Sequence, residues 1–261
     1  MLPRQSLLEG SPNAEALGPV LDAAERALRT WEPQWTGFLE AAVREDAEQR
    51  LQSLSELSVG SDGGHAGAER RCLLLQRAEA PLAAEAVPPP LTGLEIAGNF
   101  LFDPATTAEF RQALLAAGAE AGEVGDLWLR GDRGAQAIVT SQLAHRLEGK
   151  SGLVRSVEVT HETRPLQELQ LPAGRQPRPI ASVEASLRLD AVASAGFGVS
   201  RSRMAALIRQ GAVRINWQPM LSPSRELAPG DRVQLEGRGE LEIQSVQETK
   251  RGRLRIEMVR S

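Results

Sequence analysis

Apolar residues recur at helical spacing along Ala14–Arg29 and again through Pro33–Leu57. In the second stretch Trp35, Phe38, Leu39, Ala42 and Val43 are followed by Leu51, Leu54 and Leu57. Both segments predict helices, the second with a charged face opposite its apolar stripe. Val59–Gly67, VGSDGGHAG, reads as a glycine-rich turn leading into a strand around Cys72–Gln76. Pro81–Pro90 is a stiff, extended connector. From Leu91 the period shortens. Leu94–Ala97 is a short strand, and Asp103 with Pro104 opens a helix that Gly118 ends. Asp126–Arg130 and Gln136–Thr140 are strands joined by the turn Gly131–Gly134. Ser141 caps a helix to about Glu148, and Val154–Thr160 is a last strand. Glu162–Ile180, with four prolines, is a linker.

The segment Ser186–Asp231 has a pattern of its own. Leu187, Leu189 and Val192 begin an apolar stripe that Gly196 and Gly198 stop. Ser200 caps a second helix with Met204, Leu207 and Ile208 on one face, and Gly211 ends it. Val213, Ile215 and Trp217 alternate with Arg214 and Asn216 as a strand. Gly230-Asp231 turns the chain into Arg232–Leu235. Glu240–Val246 and Leu254–Val259 then form a terminal hairpin, with Leu254, Ile256 and Met258 inward and Arg253 and Arg255 outward on an edge strand.

Together these elements predict an α+β protein of three domains. Residues 1–87 form an N-terminal helical/β domain. Residues 91–163 follow β-α-β-β-α-β order, that of ferredoxin-like (RRM-like) domains. Residues 181–261 form a small αβ domain ending in the β-hairpin. An RNA-recognition sheet stacks bases on exposed aromatics. Trp128 is the middle domain's one candidate, and it reads as core.

Composition narrows the class. The chain has 261 residues, 41% hydrophobic and 25% charged, as in ordinary soluble proteins. No apolar run reaches the ~20 residues of a membrane span, and the N-terminus lacks the apolar core of a secretory signal. One cysteine, Cys72, gives neither an intrachain disulfide nor a metal cluster, so the expected setting is the reducing cytoplasm. Net charge is −4, but residues 1–90 hold 8 Arg against 14 acids, and residues 181–261 hold 13 Lys and Arg against 9 acids. Contact with nucleic acid is therefore expected at the C-terminal end.

The position of the arginines carries the functional argument. Arg201 and Arg203 fall in the first turn of a helix, where the macrodipole disfavours cations. Free N–H groups with two arginines beside them suit a phosphate. Arg188, Arg209 and Arg214 extend that footprint, with Ser200, Ser202 and Asn216 as hydrogen-bonding groups. No catalytic constellation accompanies them. His65, His145 and His161 lack metal-ligand spacing, and Cys72 lies in an apolar run. The glycine-rich segments lack the ending of a phosphate loop and the strand-to-helix setting of a dinucleotide site. Neither catalysis nor a cofactor is expected.

The succession RLD, GFGVSRS, LIRQGAVRINW, a Pro-Ser loop and Gly-Asp resembles the S4-type RNA-binding domain. Asn216-Trp217, in place of the more usual Asn-Gly, resembles the YlmH-type branch of that family. GGHAGAERRCLLL and GDLWLRGDRGAQAIVT resemble YlmH-type segments upstream, although His65 replaces the usual tyrosine. GNFLFDP resembles the photosynthetic branch, that of the photosystem II S4 domain protein. The resemblance implies a non-catalytic protein that binds structured RNA, rRNA or tRNA, at the large ribosomal subunit, with a role in translation quality control or photosystem II biogenesis. Two alternatives stand beside it. One is a protein–protein adaptor in assembly of a photosynthetic complex. The other is a relative of rRNA pseudouridine synthases, whose catalytic motif Arg188-Leu189-Asp190 imitates, although the module's first helix accounts for it.

Overall fold

The computed structural model describes residues 2–79, 81–82, 86–172, 177–235 and 238–261. The chain forms two compact units, Met1–Pro172 and Ala173–Ser261. The first opens with helices α1 (Arg4–Leu8) and α2 (Ala14–Thr30), strand β1 (Gln34–Trp35), helix α3 (Ala41–Leu51) and strands β2 (Leu57–Asp62) and β3 (Cys72–Arg77). These strands make an antiparallel sheet in the order β1-β3-β2. Leu73 and Leu75 of β3 pack with Leu17, Val20 and Leu21 of α2, while Cys72 faces a separate cluster. Burial on both faces explains the unbroken apolar run CLLL.

The same unit continues with β4 (Leu91–Ala97), α4 (Thr107–Ala116), β5 (Val124–Leu129), β6 (Gly134–Thr140), α5 (Ser141–Leu147), β7 (Ser151–Val154) and β8 (Val157–Arg164). The sheet order is β5-β6-β4-β8-β7, antiparallel throughout. One face, with Leu94, Ile96, Ala135 and Val139, takes Phe110 and Leu114 of α4 and Leu143 and Leu147 of α5. On the other, Leu91, Trp128 and Ile138 join Phe38, Cys72 and Leu169. The two sheets of this unit thus share a core. Gly125 permits it, since a Cβ there would lie 2.5 Å from Phe38 Cε1.

Several expectations need correction. Pro33–Leu57 is not one helix. Residues 36–39 are not helical, with Thr36 N donating to Leu73 O, Phe38 N to Gly122 O and Leu39 N to Arg71 O. Its apolar residues serve two different cores, which mimicked one helical stripe. Residues 59–62 belong to strand β2 rather than to the glycine-rich turn. Asp103 does not cap α4. Thr106 does, in a reciprocal capping box with Glu109, whereas Asp103 accepts from Arg155 and Ser156. Thr140, not Ser141, caps α5. The expected last strand is a hairpin that turns at Arg155, where φ is 55°. The linker Glu162–Ile180 is shorter than expected, because β8 runs to Arg164 and a strand begins at Arg178. Residues 173–176 of that linker, and 83–85 of the connector, lie outside the described residues.

The second unit comprises β9 (Arg178–Glu184), α6 (Leu189–Phe197), α7 (Arg201–Arg209), β10 (Val213–Ile215), β11 (Gln218–Pro219), β12 (Arg232–Leu235), β13 (Gly239–Glu248) and β14 (Leu254–Arg260). Its antiparallel sheet runs β11-β10-β12-β13-β14-β9. β14 is therefore interior, and β9 is the edge, contrary to expectation. Leu189, Val192, Phe197, Met204 and Ile208 of the two helices share a core with Val213, Val233, Leu241 and Ile256 of the sheet. Gly196 lies inside α6, where a Cβ would sit 2.2 Å from Leu241 Cδ2. Gly198 alone ends that helix, in the left-handed conformation. Trp217 is not in a strand. With Asn216 it forms the tight turn between β10 and β11, both residues at positive φ.

Candidate RNA interface

Two short helices and the loop before β12 build the candidate site. The Ser200 hydroxyl accepts the Arg203 amide at 3.4 Å, starting α7 where the chain leaves the Gly198 turn. Met204 and Ile208 turn inward, which leaves Arg201, Ser202, Arg203 and Arg209 exposed. At the start of α6 the first amides are already used. Leu189 N donates to Arg225 O at 2.8 Å and Asp190 N to Pro223 O at 3.0 Å. At the start of α7 the leading N–H groups have no intrahelical acceptor, and the Ser200 hydroxyl takes that of Arg203.

Asp190 organises the cations. Its side chain is only 9% exposed. Arg188 Nε donates to Oδ1 and Arg188 Nη2 to Oδ2, both at 3.1 Å, and Arg201 Nη2 reaches Oδ1 at 3.2 Å. Burial alone would push the Asp190 carboxyl up, but the hydrogen bonds from Arg188 and Arg201 outweigh it and hold it below its ordinary value. Both side chains remain partly in solvent, 38% exposed at Arg188 and 56% at Arg201. One carboxylate thus leaves two cations side by side.

The structure brings Arg188 and Arg201 together, and Arg203 stands in the same first turn of α7. Arg209 lies at the far end of that helix, and Arg214 projects from β10; both are exposed. Asn216 is exposed, but its amide is committed. Nδ2 donates to Asp231 Oδ1 at 2.8 Å, and Oδ1 accepts from Arg232 N at 2.9 Å. That clasp joins the β10–β11 turn to Gly230-Asp231, and Arg232 lies over the Trp217 ring at 5.3 Å. Arg225, in the Pro-Ser loop against the start of α6, is a basic residue that the sequence reading did not single out. Its only sequence signal is that it follows Ser-Pro-Ser.

The upstream motifs converge elsewhere. His65 Nε2 lies 3.2 Å from Asp126 Oδ2, and the same carboxylate accepts the backbone amides of Glu69 and Arg70. GGHAGAERR and the GDLW strand are therefore two halves of one junction inside the first unit. Trp128 is buried there, so it offers no face for base stacking. His161 is buried and hydrogen-bonded to Lys150 O, and His145 is exposed. Burial pushes the Cys72 thiol up to about 12, which keeps it protonated. Among the described residues no group of side chains has the makings of a metal site. No helix among them is long and apolar enough to cross a membrane.

Residues 12–80 match the family model "YlmH, N-terminal", and residues 187–233 match that of the S4 domain. Both matches are local, one to each end of the chain. The chain is 27% identical over 151 residues to the ribosome-associated protein quality control protein P2 of Bacillus subtilis. The match covers 55% of this chain and 56% of the relative, so the chain spans about half the length of the curated relative. It is also similar to the solved structure of the cell division protein ylmH from Streptococcus pneumoniae. There the identity is 18% and the TM-score 0.48, over 60% of this chain and 93% of that one.

Proposed function

We propose that this protein binds structured RNA, rRNA or tRNA, through its S4 domain, at the large ribosomal subunit. The observation that carries the reading is the cationic start of α7, where Arg201 and Arg203 stand in the first turn of the helix and Arg188 is held beside Arg201. Arg209 and Arg214 extend the footprint, with Ser200 and Ser202 as hydrogen-bonding groups at the helix start. The relative's name, ribosome-associated protein quality control protein P2, supports the ribosome as the site of action. In this reading residues 1–87, 91–163 and 181–261 are the three domains, the middle one ferredoxin-like with β7 added, and the protein acts by binding in the cytoplasm. The pairing of Asp190 with Arg188 and Arg201 supports reading it as a structural ion-pair partner rather than a pseudouridine synthase nucleophile. The likeness of GNFLFDP to the photosynthetic branch supports a role of this binding in photosystem II biogenesis beside translation quality control.

Sucrose-gradient sedimentation of the tagged protein from lysate tests the reading. Comigration with large subunits at low salt, released at high salt, is the expected result. A protein that stays at the top at both salts and binds no free RNA sinks it in favour of the adaptor.

A further inference from the structure

Two arginines in one receptor repel each other, and each side chain loses rotamer freedom when it is held. Arg188 precedes the first turn of α6 and Arg201 opens α7, so they come from separate parts of the chain. What sets their separation is a carboxylate contributed by α6 and buried between them. Arg188 grips it with two nitrogens of its fork, and Arg201 with one. Arg188 Nη1, and Arg201 Nε and Nη1, are left to donate elsewhere.

We infer that Asp190 is a positioning residue that fixes Arg188 and Arg201 as a paired receptor for RNA backbone phosphate. The inference rests on the RNA-binding reading above. It makes a prediction opposite to simple electrostatics. Removing a negative charge beside a phosphate site should tighten RNA binding if charge alone mattered. If Asp190 positions the forks, its removal weakens binding although the site becomes more positive. The same logic separates arginine from lysine at position 188, because lysine keeps the charge but has no planar fork to share between carboxylate and phosphate.

The test measures affinity and salt slope of the full chain for a fluorescein-labelled RNA hairpin. The variants are Asp190→Asn, Arg188→Lys, Arg188→Ala with Arg201→Ala, and that double variant with Asp190→Asn. Asp190→Asn and Arg188→Lys are each expected to weaken binding about tenfold and to flatten the slope. Asp190→Asn should have no further effect once both arginines are alanine. Wild-type-like or tighter binding by Asp190→Asn overturns the inference and leaves the RNA reading intact. So does a full effect of Asp190→Asn in the double-alanine background. If Asp190→Asn does not fold, Arg188→Lys decides, since that side chain is partly exposed: weaker binding supports the inference and unchanged binding overturns it. A wild-type protein that binds no RNA at low salt overturns the reading and the inference together.

Discussion

Arg201 and Arg203 sit where a helix prefers carboxylates, and no hydrophobic gain compensates for their exposure. Replacing both with alanine should leave folding intact, lower RNA affinity, and flatten the log–log salt slope by roughly 1.5 if each neutralises one phosphate. Filter binding across a salt series reads this directly; an unchanged slope would mean that neither touches phosphate. Asp190 gives a pH signature. Its folded-state pKa is lowered, so its contribution to stability is complete above the ordinary aspartate range and is lost as pH falls through the lowered value. Thermal unfolding of wild type should therefore show a loss below that range that Asp190→Asn lacks. At this scale the exposed arginines were legible, because they break a local rule. Asn216 was not, since its partner Asp231 lies fifteen residues on and only the folded turn reveals the clasp.

At the scale of elements, caps and close approaches decide where structure starts. In the Thr106–Glu109 box each side chain accepts the other residue's otherwise unpaired amide at the start of α4, so Thr106→Ala should cost about 1 kcal/mol in urea unfolding. Gly196→Ala should cost about 2 kcal/mol or more, because the methyl enters space held by Leu241. Helices with one core, such as α2 and α7, were readable from spacing alone. The stretch 33–57 was not. Phe38 points into the cluster shared with the middle sheet while Val43 and Leu51 serve the helical core, and a one-dimensional pattern does not distinguish two cores from one. β9 was missed for a related reason: Pro179 and alternating burial look like linker until β14 supplies the hydrogen bonds.

For the molecule as a whole, the shared core of Phe38, Cys72, Leu91, Trp128, Ile138 and Leu169 makes the two sheets of the first unit one cooperative body. Phe38→Ala should remove about 3 kcal/mol or more and lower a single unfolding transition rather than splitting it. Two separate transitions would show that the sheets fold apart. The union of the two sheets in one unit was not legible, because Gly125 and Phe38 lie far apart in sequence and neither looks like an interface residue alone.

The chain's one thiol offers a practical consequence. Cys72 is fully buried, and its thiol is pushed up to about 12, so a maleimide or disulfide reagent finds almost no nucleophile in the folded protein. A cysteine introduced on the outer face of α7 would then take a fluorophore selectively, with the native residue left in place. Slow modification of Cys72 itself would time the opening of the core it occupies.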